Sequence, residues 1–144
     1  MALEHLFDAE LQYQPGMAPL TEEGEGVLVG SGDGTLAGAA LAGTLRWTLF
    51  EQPGELVCAM SPTLRIETRD GAEIRADGRG FGARDGTESS GWRVAATLRF
   101  RSDDARYAWL DGALGLWEAS STRNDTAPAT ARTSSPSDPR KERP

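Results

Sequence analysis

The chain has 144 residues, a formal charge of −7 and 38% hydrophobic side chains, which gives room for one domain with one core and excludes a second. Residues 1–120 carry ten basic and nineteen acidic side chains against five and three in residues 121–144, so nucleic acid and anionic membrane surfaces are excluded as expected partners of the acidic part. One cysteine, Cys58, one histidine, His5, and one lysine, Lys141, exclude an intrachain disulfide, Cys/His zinc and His-pair metal sites, dithiol redox, haem attachment and a lysine Schiff base in the folded domain.

The start, Met-Ala-Leu-Glu-His, has neither the basic end nor the apolar run of a signal peptide, and no apolar stretch approaches the roughly 18 residues needed to span a bilayer. The expected location is the cytoplasm. Leu3, His5, Phe7, Ala9, Leu11 and Tyr13 alternate on one face of a first strand, with Leu6 as the exception on the other. Gln14-Pro15-Gly16 breaks that strand, and residues 14–25 read as a polar loop. Val27-Leu28-Val29 then enters a glycine-dense stretch from Gly30 to Gly43, which reads as tight turns and strand bends. It lacks the Lys-Ser/Thr ending of a phosphate-binding loop and has acidic neighbours that would repel phosphate.

Further strands are expected over Thr44–Glu51, Glu55–Met60, Thr63–Arg69, Ala72–Ala76, Gly91–Arg101, Arg106–Leu110 and Leu114–Ala119. Pro53-Gly54, Asp70-Gly71 and Asp111-Gly112 punctuate them as hairpin turns, because glycine supplies the positive φ of a two-residue loop. Short strands at close spacing with glycine-rich bends predict an all-β fold, a small antiparallel calycin-like β-barrel over residues 1–120. Residues 121–144 contain no large apolar side chain and are expected to be a disordered tail.

The segment Leu98-Arg99-Phe100-Arg101-Ser102-Asp103-Asp104-Ala105-Arg106-Tyr107-Ala108-Trp109-Leu110-Asp111 resembles the closing motif of the domain-of-unknown-function family DUF3237, also termed UPF0311-type. Three features agree in order: Leu41-Ala42-Gly43 before the strand with Trp47, the Thr68-to-Ile74 hairpin, and Gly78-Arg79-Gly80. The chain resembles a divergent member, with Asp111 where asparagine is common and without a Gly-Gly-Ala-Asp-Trp run. The resemblance implies a calycin-type barrel, often dimeric, and carries over no catalytic residue.

Chemistry is therefore sought in single residues. His5 on an apolar strand face is a candidate acid or base near neutral pH, or else a core residue with one hydrogen bond. Glu51 follows Leu45, Trp47 and Leu49 on its strand face; it is either a desolvated catalytic carboxylate or a strand-end residue that meets water. Trp92, Val94, Ala96, Leu98 and Phe100 share one face of the cleanest amphipathic strand, opposite Arg93, Arg99 and Arg101. With Trp47, Tyr107, Trp109 and Trp117 that face either lines a cavity or fills the barrel. Solvated ion pairs are the expected use of the arginines, with an anionic ligand the other, and Asp103, Asp104 and Arg106 are expected to fix a loop.

The preferred reading is a metal-free and cofactor-free barrel that binds a small, largely apolar organic molecule against Trp47, Trp92, Phe100, Trp109 and Trp117 and forms a homodimer. If it is an enzyme, His5, Glu51 and Tyr107 are the expected catalytic residues, for isomerisation, cyclisation, hydration or dehydration. The alternative is a non-catalytic binding or assembly module with a filled interior.

Overall fold

A computed structural model of the chain describes residues 3–14, 26–52, 56–84, 91–121 and 129–136. Eight strands, β1 (Leu3–Tyr13), β2 (Val27–Ala37), β3 (Gly43–Glu51), β4 (Val57–Thr68), β5 (Glu73–Arg84), β6 (Trp92–Arg101), β7 (Leu114–Ser120) and β8 (Ala129–Pro136), each pair antiparallel with their neighbours in sequence. β8 also pairs with β1, closing the barrel. Closure leaves no sheet edge to template aggregation. A rung followed from Cys58 through Gly82, Val94, Ala119, Ala131, Ala9, Leu36 and Gly43 returns to β4 at Thr68, ten residues further along the strand. That stagger tilts the strands relative to the barrel axis, and eight strands enclose an interior about wide enough for side chains to occupy.

Large inward side chains make up its core. Phe7, Trp47, Trp92, Phe100 and Trp117 are each at most 1% exposed. They pack with Leu11, Leu49, Met60, Leu64, Ile66 and Ile74 in one continuous core. Glycines make room for the larger rings: a Cβ on Gly30 would stand 2.7 Å from the Tyr13 ring and 2.9 Å from Trp47, closer than packed atoms approach.

The expected disordered tail over residues 121–144 is corrected by β8 at Ala129–Pro136, while residues 122–128 and 137–144 lie outside the described residues. Ala129, Ala131 and Thr133 point inward at 0%, 5% and 0% exposure and alternate with outward Thr130 and Arg132. Small side chains suffice there because Phe7 and Trp117, the register partners of Thr133, supply the bulk. Both strand neighbours take up the backbone hydrogen bonds. Ser121 belongs to the fold as well, its N–H bonding to Trp92 O and its Oγ accepting from Trp92 N–H.

Other elements shift for local reasons. The expected strands Glu55–Met60 and Thr63–Arg69 are one strand, β4; Pro62 lacks an N–H, and the β4–β5 ladder skips Ser61 and Pro62 while the β3 side stays paired. Arg106–Leu110 is not a strand. It lies in a 3-10 helix, Ala105–Gly112, whose N-cap Asp104 accepts the Arg106 N–H, and Asp111-Gly112 ends that helix instead of forming a hairpin turn. Asp70-Gly71 does turn between β4 and β5, with Gly71 at φ 88°. Pro53-Gly54 and most of the loop expected at residues 14–25 lie outside the described residues.

The barrel has two distinct ends. At the helix end lie the Asp70-Gly71 turn, the residues between β2 and β3, and the 3-10 helix. At the Glu51 end, β1, β3, β5 and β7 finish and the even strands begin. Among the described residues no helix is long and apolar enough to cross a membrane.

Candidate functional site

His5 does not reach the interior. The β1–β8 register shifts between His5 and Phe7, a bulge that places both Leu6 and Phe7 in the core, at 4% and 0% exposure, and rotates His5 outward. His5 Nε2 lies 2.9 Å from Asp8 Oδ1 on the exposed face near the helix end. Leu6, the break in the alternation, is the mark of this bulge.

Glu51 does turn into the barrel wall. It is 9% exposed and is the one charged residue that is buried among the described residues. As the last residue of β3 it pairs with Met60 of β4. The Cys58 thiol donates either to Glu51 Oε2 or to Gly82 O, each 3.8 Å away. Tyr13, Val29 and Cys58, also at this end, are only partly buried, so solvent reaches this part of the wall.

An aromatic group stands at the same end. Trp92 Nε1 donates to the Tyr13 hydroxyl, while Trp47 Nε1 is shared between Gln12 O and Asp33 O at 3.1 Å each. The Tyr13 and Trp47 rings meet edge to face at 5.2 Å, and Trp47 and Trp92 lie 6.5 Å apart, within the range of favourable aromatic pairs. Trp117 sits deeper. Its Nε1 and the Oγ1 of its register partner Thr133 are buried without a hydrogen-bond partner, a donor and a hydroxyl held side by side in the core.

The other expected site residues stand elsewhere. Phe100 is in the core, where a Cβ on Gly115 would lie 2.7 Å from its ring. Trp109, on the 3-10 helix, is 42% exposed and lines no interior surface, so the expected five-aromatic wall does not form. Tyr107 belongs to a latch at the helix end. Its hydroxyl donates to Asp70 at 2.9 Å, Thr68 Oγ1 also donates to Asp70, and Arg106 Nη1 lies 3.3 Å from the same carboxylate. Arg106 grips Asp104 through two side-chain nitrogens, at 2.9 and 2.7 Å. Leu110 on this helix is fully buried beneath the latch.

Electrostatics agree with a structural role for the latch. The Thr68 hydroxyl, and after it the Tyr107 hydroxyl, hold the Asp70 carboxyl below its ordinary value. Arg106 draws Asp104 down to about 2. Burial first, then Asp70, pushes the Tyr107 phenol up. His5, Glu51 and Tyr107 thus occupy the outer face, the wall at one end and the latch at the other, and no shared catalytic centre joins them. Tyr13, Cys58 and Thr133 were missed in the sequence. Tyr13 carried a signal, as the last member of the first strand's apolar face.

A shallow groove of about 1240 Å³ winds around the outer waist past Phe81, Arg93, Glu118 and Arg132, and it contains neither His5 nor Glu51. Among the described residues, no three His, Cys, Asp or Glu side chains gather as a metal site.

The fold and this arrangement define a closed, eight-stranded antiparallel β-barrel with a buried carboxylate at one end. No protein-family model and no curated protein matches the chain. Solved structures do. A β-barrel-like protein from Acinetobacter baumannii AYE superposes with a TM-score of 0.68 at 16% identity, covering 93% of this chain and 94% of its own. A conserved protein of unknown function from Rhodopseudomonas palustris gives 0.67 at 15% identity over 93% and 96%. An enzyme from Penicillium herquei gives 0.57 at 18% identity over 92% and 93%. At these identities the likeness is one of fold.

Proposed function

We propose that this barrel binds a small, largely apolar organic molecule at its Glu51 end, as a divergent relative of the DUF3237 barrels. The observation that carries the reading is the burial of Glu51 beside Cys58 and Met60 at an end where Tyr13, Val29 and Cys58 remain partly open. An apolar wall with one carboxylate and one phenol is the usual make-up of a small-molecule site. The likeness to the Penicillium herquei enzyme is compatible with catalysis. In that case Glu51 moves the proton and Tyr13 orients the carbonyl, in an isomerisation, cyclisation, hydration or dehydration that needs no cofactor. His5 and Tyr107 have no part in it.

Thermal-shift measurements with a panel of phenols and aryl ketones test the reading. Compounds that raise the midpoint of the wild type should lose that effect on Glu51→Gln, a near-isosteric change that keeps the fold. Equal stabilisation of both proteins would overturn the assignment.

One observation favours the assembly reading. Phe81 and Val57 are 65% and 59% exposed on the outer face, and Phe81 pairs in register with Ala59 and Ala95. The resulting apolar patch on β4–β6 suits a second copy of the chain. If that reading is right, Phe81→Lys yields a monomer by sedimentation, and a wild type that is already monomeric contradicts it.

A further inference from the structure

The outer face of β3–β6 has a feature that the ligand reading leaves unused. Arg46 stands opposite Arg65, Arg65 opposite Arg75, and Arg75 opposite Arg101. Four arginines thus form one in-register rung across four adjacent strands of a chain whose net charge is −7. Asp33 on β2 stands opposite Arg46 and offsets that end of the rung, whereas Arg65, Arg75 and Arg101 oppose one another directly, an arrangement that destabilises a sheet. Arg75 reaches Glu73 and Asp103, at 3.6 and 3.8 Å, and is 63% exposed. Arg65 and Arg101 are exposed and make no ion pair or hydrogen bond with any described residue. A groove of about 700 Å³ runs beside the rung, with Arg46 and Arg65 and the carboxylates of Asp33, Glu67 and Glu73 among its walls.

We infer that this rung is a binding site for a slender oligoanion of the linear phosphate class, laid across the strands. Strands are spaced about 4.8 Å apart, so the guanidinium groups of Arg65, Arg75 and Arg101 cover about 10 Å. Each presents a planar fork suited to two phosphate oxygens. The rows on either side carry acidic residues, Glu67 and Glu73 on one and Asp77 on the other. Arg99 stands opposite Asp77 and offsets it, so the row on that side is neutral and the row with Glu67 and Glu73 is the acidic border. A nucleic-acid duplex would press its phosphates against those carboxylates, whereas a single phosphate chain fits beside them.

Titration calorimetry with inorganic tripolyphosphate on the full chain at low ionic strength tests the site. Wild type should bind, with affinity falling as salt rises. Arg65→Ala and Arg101→Ala should each weaken binding by about tenfold. Arg132→Ala, on the far side of the barrel, should bind as wild type does. Without anion, Arg65→Gln should melt no lower than wild type, and added tripolyphosphate should raise the wild-type midpoint more than the variant's. The proposal fails if wild type gives no binding, if Arg132→Ala loses as much affinity as Arg65→Ala, or if a DNA duplex binds more tightly than tripolyphosphate.

Discussion

The two ends of the barrel handle charge in opposite ways. At the helix end, Asp70, Asp104 and Arg106 remain at the surface and tie one another down, with Thr68 and Tyr107 supplying further hydrogen bonds. They hold a 3-10 helix over buried Leu110. At the Glu51 end one carboxylate is withdrawn from water; the Cys58 thiol lies 3.8 Å from it and Met60 is its register partner. Charges paired with one another at the surface hold the helix in place, whereas the buried carboxylate belongs to the barrel wall. The cluster that reads as the richer in chemistry, with tyrosine, two aspartates and arginine, is therefore the structural one.

The largest change should come from removing the strand common to both ends. A chain truncated after Ser121 lacks β8 and exposes the edges of β1 and β7; it should lose its cooperative far-ultraviolet melting transition and aggregate. A soluble truncated chain that melts cooperatively would break the account of closure. Trp47→Ala comes next. It empties the aromatic group at the Glu51 end and should cost about 3–5 kcal/mol in denaturant unfolding, far more than any change in the latch.

Smaller effects separate the ends by pH. Asp70 and Asp104 titrate lower in the folded chain than in the unfolded one, where their value is about 3.8. The stability they contribute is complete above that value and drains away as pH falls toward about 2, the folded value of Asp104. Asp104→Asn should flatten the acid side of the stability profile between pH 4 and 2, and an unchanged profile would remove the latch from the account. Tyr107 has the opposite sign. Its raised value makes its contribution complete below pH 10 and lost above it, so Tyr107→Phe should blunt the alkaline fall in melting temperature.

The barrel was legible because alternation and turn chemistry are local: the amphipathic pattern of β6 and the Asp70-Gly71 turn need no knowledge of the rest of the chain. β8 was not legible. Its Ala-Thr-Ala-Arg-Thr-Ser alternation is small against polar, and only the rings of Phe7 and Trp117 across the wall show that small residues are enough. The 3-10 helix escaped because Arg106–Leu110 is too short for its period to separate strand from helix, and Asp104 reveals itself as a cap only once the chain turns. At the site, Glu51 was visible as a carboxylate continuing an apolar strand face. His5 misled because one inserted residue, Leu6, reverses every side chain before it.

The four tryptophans provide the most direct test of the Glu51 end as the binding site. Trp47 and Trp92 stand at that end, Trp117 lies deeper in the core, and Trp109 sits on the opposite helix. Indole N–H resonances, followed by NMR as a stabilising phenol or aryl ketone is titrated in, should move for Trp92 and Trp47 and stay still for Trp109. Movement of Trp109 alone, or of no indole at all in the presence of a compound that stabilises the fold, would contradict the site.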